Sequence, residues 1–113
     1  MDSPPPVGGL EGVIGEARKR VSAIVGRHKV EEFCIGRTDD TDAARRQKDC
    51  DEMVVLYETE EVDEARVVAD ALTKAFLGLQ KCSNKGEQAE ESSFGGRKNY
   101  VCLAVWNREA PTY

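Results

Sequence analysis

Two unbroken apolar runs constrain this chain most. Met53-Val54-Val55-Leu56-Tyr57 and Tyr100-Val101-Cys102-Leu103-Ala104-Val105-Trp106 lack the apolar–polar alternation of a strand with one wet face. Both read as strands covered on two sides, the first as a central strand, so helices must supply the cover. The strongest helix is near at hand. Val62, Ala65, Val68, Ala69, Leu72, Ala75, Phe76 and Leu79 recur at 3.6-residue spacing, and Asp63 and Glu64 favour the positive end of its dipole. It is expected to end around Lys81.

The remaining elements fall around these. Leu10, Val13, Ile14, Ala17, Val21, Ile24 and Val25 form the apolar stripe of a first helix, with Gly26 as its stop. Residues 1–9, rich in Pro and Gly, are expected to be a disordered tail, leaving 10–113 as one domain. Residues 30–36 read as a strand, and 41–47 as a short helix with Thr41 as its capping residue. Residues 83–99 show no periodicity and read as a long loop. The order predicts an α+β fold: a small, mostly antiparallel sheet of three or more strands packed with helices.

Composition narrows the function. A length of 113 residues suits one modest core. With 21 acidic against 16 basic side chains the net charge is −5, which disfavours nucleic acid as a partner, since phosphate contacts supply most of such affinity. No apolar run approaches the ~20 residues of a membrane span. Met1-Asp2-Ser3-Pro4-Pro5-Pro6 carries no secretory signal, so a cytoplasmic or nuclear location is expected, with the four cysteines as thiols. They show no paired metal-ligand spacing, so no metal site is expected of them. Cys34 and Cys102, inside strands, are expected to be buried; Cys50 and Cys82, near element ends, to be exposed.

One stretch carries chemistry. In Glu32-Phe33-Cys34-Ile35-Gly36-Arg37-Thr38-Asp39-Asp40 a strand runs into a Gly-led turn, and Arg45-Arg46 follow on the short helix. Together with Met53–Tyr57, Asn84, Gly95-Gly96 and Tyr100, this order resembles the GIY-YIG nuclease core over roughly residues 32–106. The resemblance implies a metal-dependent endonuclease fold, with Mg²⁺ as its cofactor and Arg45 or Arg46, Tyr57 and Asn84 as the catalytic candidates. The departures fall where that chemistry needs residues. No GIY strand precedes Phe33, Cys34 occupies the strand tyrosine's place, and Ala69 aligns with the metal-binding glutamate.

The resemblance therefore implies a domain that has lost nuclease chemistry and serves as a binding or assembly module, with no cofactor. The alternatives are an active nuclease using a displaced acid such as Glu58, Glu64 or Asp70, and an unrelated small α+β interaction protein. Arg37, Arg45, Arg46, Arg97 and Lys98 are the candidate binding residues, either as a basic rim that binds phosphate or as a solvated face. Acidic residues interleave with them and the 83–99 loop carries Glu87, Glu90 and Glu91. A protein partner, or a second copy of the chain, is expected in preference to nucleic acid.

Overall fold

The computed structural model describes residues 6–86, 89–92 and 96–108, with the side chains of the first helix from Leu10 onward. The elements run α1 (Pro6–Val25), β1 (Val30–Thr38), α2 (Thr41–Lys48), β2 (Glu52–Thr59), α3 (Val62–Phe76), β3 (Glu90–Ser92) and β4 (Asn99–Asn107). Four strands form one sheet in the order β2-β4-β1-β3. β4 lies antiparallel to both β1 and β2, and β1 runs parallel to the short β3. The fold is α+β, a four-stranded mixed sheet packed against three helices.

Alternation along the central strands sorts the core into two layers. Phe33 and Ile35 of β1 and Val101, Leu103 and Val105 of β4 face α1 and α3. There they meet Ala17, Val21 and Ile24 of the first helix and Ala65, Val68 and Leu72 of the third. Each large apolar side chain buried here contributes roughly 1.5–3 kcal/mol. The intervening residues Cys34 and Ala104 face the other way, with Cys50, Met53 and Trp106, under the short helix α2.

Several expectations are corrected. α1 begins at Pro6 and takes in residues 6–9 of the expected tail, because proline suits a first helical turn where its missing N–H costs nothing. Residues 1–5 of that tail lie outside the described residues. The cap of α2 is not Thr41 but Asp40 before it: Asp40 Oδ1 accepts from Ala43 N at 3.0 Å. α3 ends at Phe76, short of Lys81, and Val62 and Leu79 of its expected apolar face are 51% and 46% exposed.

The apolar run of β2 is an edge strand, not a central one. A β-bulge explains how the pattern misleads. Val55 pairs with Cys102 and Tyr57 with Val101, leaving Leu56 as an extra residue. Leu56 and Tyr57 therefore both turn toward the α3 layer, Met53 toward the α2 layer, and Val55 stays 38% exposed. The open edge is blunted at one point, where Arg20 Nη1 donates to Val55 O at 3.1 Å.

The expected 83–99 loop contributes the fourth strand, and residues before it cover the outer edge of β1. Phe33 N donates to Lys81 O and Ser83 N to Phe33 O. The Asn84 side chain then takes both backbone groups of Ile35, and β3 pairs with Gly36, Arg37 and Thr38. Gly36 permits this approach, since a Cβ there would stand 3.1 Å from Glu90 O. Gly96 is under a stricter demand: its Cβ would stand 2.5 Å from Asp39 O.

Candidate functional site

Each candidate side chain has a place set by its element. Arg37, near the end of β1, is only 11% exposed and pairs with Glu91 of β3 at 2.9 Å. Beside that pair, Arg66, Asp70 and Ala89 complete a polar hollow of about 240 Å³. Arg45 and Arg46 ride on α2, which packs over the opposite layer. Both are exposed, and Arg45 Nη2 donates to Asp51 O at 3.2 Å. Arg97 is exposed, and Lys98 pairs with Glu58 at 2.8 Å. Arg37, Arg45 and Lys98 are thus committed to three different neighbours.

The two polar candidates serve the fold. The bulge at Leu56 aims Tyr57 at α3, where its hydroxyl donates to Glu64 Oε1 at 3.0 Å, beside a second donation from Thr59 Oγ1 at 3.0 Å. Burial, and then the Glu64 carboxylate, raise the Tyr57 hydroxyl above its usual range, which keeps it protonated and harder to ionise. Asn84 is 7% exposed. Its Oδ1 accepts from Ile35 N and its Nδ2 donates to Ile35 O, each at 2.9 Å, so the amide stands in for a missing strand residue.

Cys34 and Ala69 occupy the positions where the resemblance expects a tyrosine and a carboxylate. Ala69 is fully buried in the α3 layer. Cys34 is 2% exposed and lines a cavity of about 20 Å³ between the sheet and α2, shared with Lys48, Glu90 and Cys102. That volume holds about one water molecule. Burial pushes the Cys34 thiol up to about 12, and Lys48 only partly offsets it. Burial likewise pushes Cys102 up to about 12. Both are buried as expected; Cys50 is also buried, contrary to expectation, and Cys82 is half-buried. The Cys34 and Cys102 thiols are therefore protonated at neutral pH and are not nucleophiles.

Lys48 and Glu90, which both line this cavity, pair with each other. Burial opposes charge on both groups, but their mutual contact prevails: the carboxyl is lowered and the ammonium raised. This pair ties α2 to β3, and its partners lie 42 residues apart with no local signal to join them. The Glu64 contacts with Tyr57 and Thr59 were equally hidden, because only the bulge brings Tyr57 to that face.

A Mg²⁺ site of the family's kind does not fit these residues. Ala69 offers no oxygen, Glu64 is held by Tyr57 and Thr59, Glu58 by Lys98, and Asp70 Oδ1 accepts from Ala89 N at 2.9 Å. Among the described residues no cluster of three His, Cys, Asp or Glu side chains is arranged to hold a metal ion. Nor, among those residues, is any helix long and apolar enough to cross a membrane. Comparison with protein-family models, with curated proteins and with solved structures finds no match for this chain.

Proposed function

We propose that the chain is a GIY-YIG-like domain that has lost phosphodiester chemistry and acts as a protein-binding or assembly module. The observation that carries this reading is the burial of Ala69: where the resemblance expects a metal-binding carboxylate facing a cleft, a methyl group is packed into the core. Cys34, at the tyrosine position, supports it, since a thiol raised to about 12 replaces a hydroxyl that has to reach solvent and substrate.

The displaced acids support it as well. Glu58, Glu64 and Asp70 each have a neighbour that already takes the carboxylate, and a hard cation needs several free oxygens. Phosphate clamping is similarly weakened, because the half-buried guanidinium of Arg37 already holds Glu91. With a net charge of −5 the module's partner is a protein rather than nucleic acid. Four free thiols accord with a reducing cytoplasmic or nuclear compartment.

Supercoiled plasmid incubated with the protein and Mg²⁺ or Mn²⁺ tests this reading. The expected result is intact plasmid. Nicking that disappears in the Arg45→Ala or Arg46→Ala variant would establish the displaced-acid nuclease instead.

A further inference from the structure

The C-terminal ends of α1 and α3 leave a groove between them. Its apolar end, about 420 Å³, is floored by Phe33 and Phe76, whose rings meet edge to face with centroids 6.3 Å apart, and walled by Val25 and Leu79. Leu79 is 46% exposed beside this buried aromatic pair, so the hollow has an apolar rim open to a partner. Lys81 stands at this end, its Nζ donating to Val25 O and Arg27 O rather than to a carboxylate. Ser22 then carries the groove along α1 to Arg18 and Lys19. Among the described residues no carboxylate lines either part. Glu16 pairs with Lys19 from beside it, but both side chains are more than three-quarters exposed, which makes that pair weak.

An apolar hollow bordered by Arg18, Lys19 and Lys81 complements something apolar and acidic. This chain carries such a feature at the other end of α3. Val62, the first residue of that helix, is 51% exposed and is flanked by the exposed Glu60, Glu61 and Asp63. Asp63 also pairs with Arg66 on its own helix. Fifteen helical residues at about 1.5 Å each hold the two surfaces some 22 Å apart, so they cannot meet within one copy.

We propose that the groove receives Val62 and its acidic flank from a second copy of this chain, giving a head-to-tail assembly. The proposal rests on the protein-binding reading and names the partner, while using a surface apart from Arg37, Arg45 and Arg46. A head-to-tail contact leaves an unused groove and an unused Val62 segment at its ends, so assembly grows with concentration. The charged flanks are exposed, so salt weakens it.

Sedimentation velocity over a concentration series, at about 50 mM and about 500 mM salt, tests the contact through two exposed substitutions, Val62→Lys and Leu79→Asp. Wild type is expected to gain mass with concentration, less so in high salt. Each variant alone is expected to associate roughly tenfold or more weakly and to remain at the 12.5 kDa of one chain. Their equimolar mixture is expected to form a dimer and nothing larger, because Val62→Lys keeps its groove and Leu79→Asp keeps its Val62 segment. If Leu79→Asp melts early, Arg18→Glu with Lys19→Glu takes its place. A wild-type monomer throughout, an assembly indifferent to the substitutions, or a mixture that stays monomeric would each overturn the proposal. None of these outcomes alters the plasmid result, so the two readings fail separately.

Discussion

Placing a carboxylate at residue 69 puts the account under the most strain, because the resemblance and the packing predict opposite results. Ala69 is 0% exposed, between Val68 and Leu72 in the α3 layer. Ala69→Glu inserts four heavy atoms beyond the methyl and a charge. Overpacking costs about 1–3 kcal/mol, and burying the carboxyl without a partner about 1–3 kcal/mol more. A buried glutamate reaches a pKa of about 8–9. At pH 7 it is therefore protonated in the folded state and ionised in the unfolded chain, whose pKa is about 4.3; that difference costs about 3.7 kcal/mol. The sum, roughly 6–10 kcal/mol, rivals the whole stability of a small domain.

The sign of the pH dependence makes the test specific. A folded-state pKa raised above the unfolded value favours folding fully below the unfolded pKa, and that advantage is lost as pH rises. Ala69→Gln has the same bulk and a buried polar group but does not titrate. The stability gap between the Glu and Gln variants, read from urea midpoints, should shrink from about 4 kcal/mol at pH 7 to about 1 kcal/mol at pH 5. A gap that is the same at both pH values would mean that residue 69 reaches solvent. If Ala69→Glu also nicked plasmid in Mn²⁺, the packed-core account of the site would be wrong.

Other consequences follow from single contacts. Asn84→Ala strands Ile35 N–H and C=O in a buried edge and should cost about 2–4 kcal/mol in chemical denaturation, whereas a merely catalytic asparagine would be neutral. Cys34 and Cys102 are protonated when folded but ionise above about pH 9 when unfolded, so stability should fall as pH rises from there toward 12, by about 1.4 kcal/mol per unit for each thiol. Cys34→Ala with Cys102→Ala should flatten that slope. Asp49 closes α2 in a left-handed conformation, φ 53°, using only its backbone groups; Asp49→Gly should therefore stabilise by about 0.5–1 kcal/mol in the same assay.

The parts of the fold that the sequence makes legible are those whose packing is periodic. Ala65, Val68, Ala69, Leu72 and Phe76 announce α3, and Val101 to Val105 announce a strand with both faces covered. β2 misleads because its bulge places neighbours Leu56 and Tyr57 in one layer, so an edge strand imitates a central one. β3 leaves no trace at all. Glu90-Glu91-Ser92 has no apolar alternation and is held from outside by Lys48, Arg37 and Gln47. The order of residues that resembles the nuclease core can be read from the sequence, but what each of them does in the fold cannot. Nothing in the sequence indicates that Asn84 completes an edge, that Arg37 is already paired, or that Glu64 belongs to Tyr57.

Cation binding itself is the most direct measurement. Backbone amide resonances followed through a Mn²⁺ titration report any site at which a paramagnetic ion dwells. The account predicts weak broadening that does not saturate, spread over the exposed acidic residues. Saturable broadening confined to the amides around Asp70, Glu64 or Glu58 would contradict it, by showing that one of these carboxylates leaves its present partner for a metal.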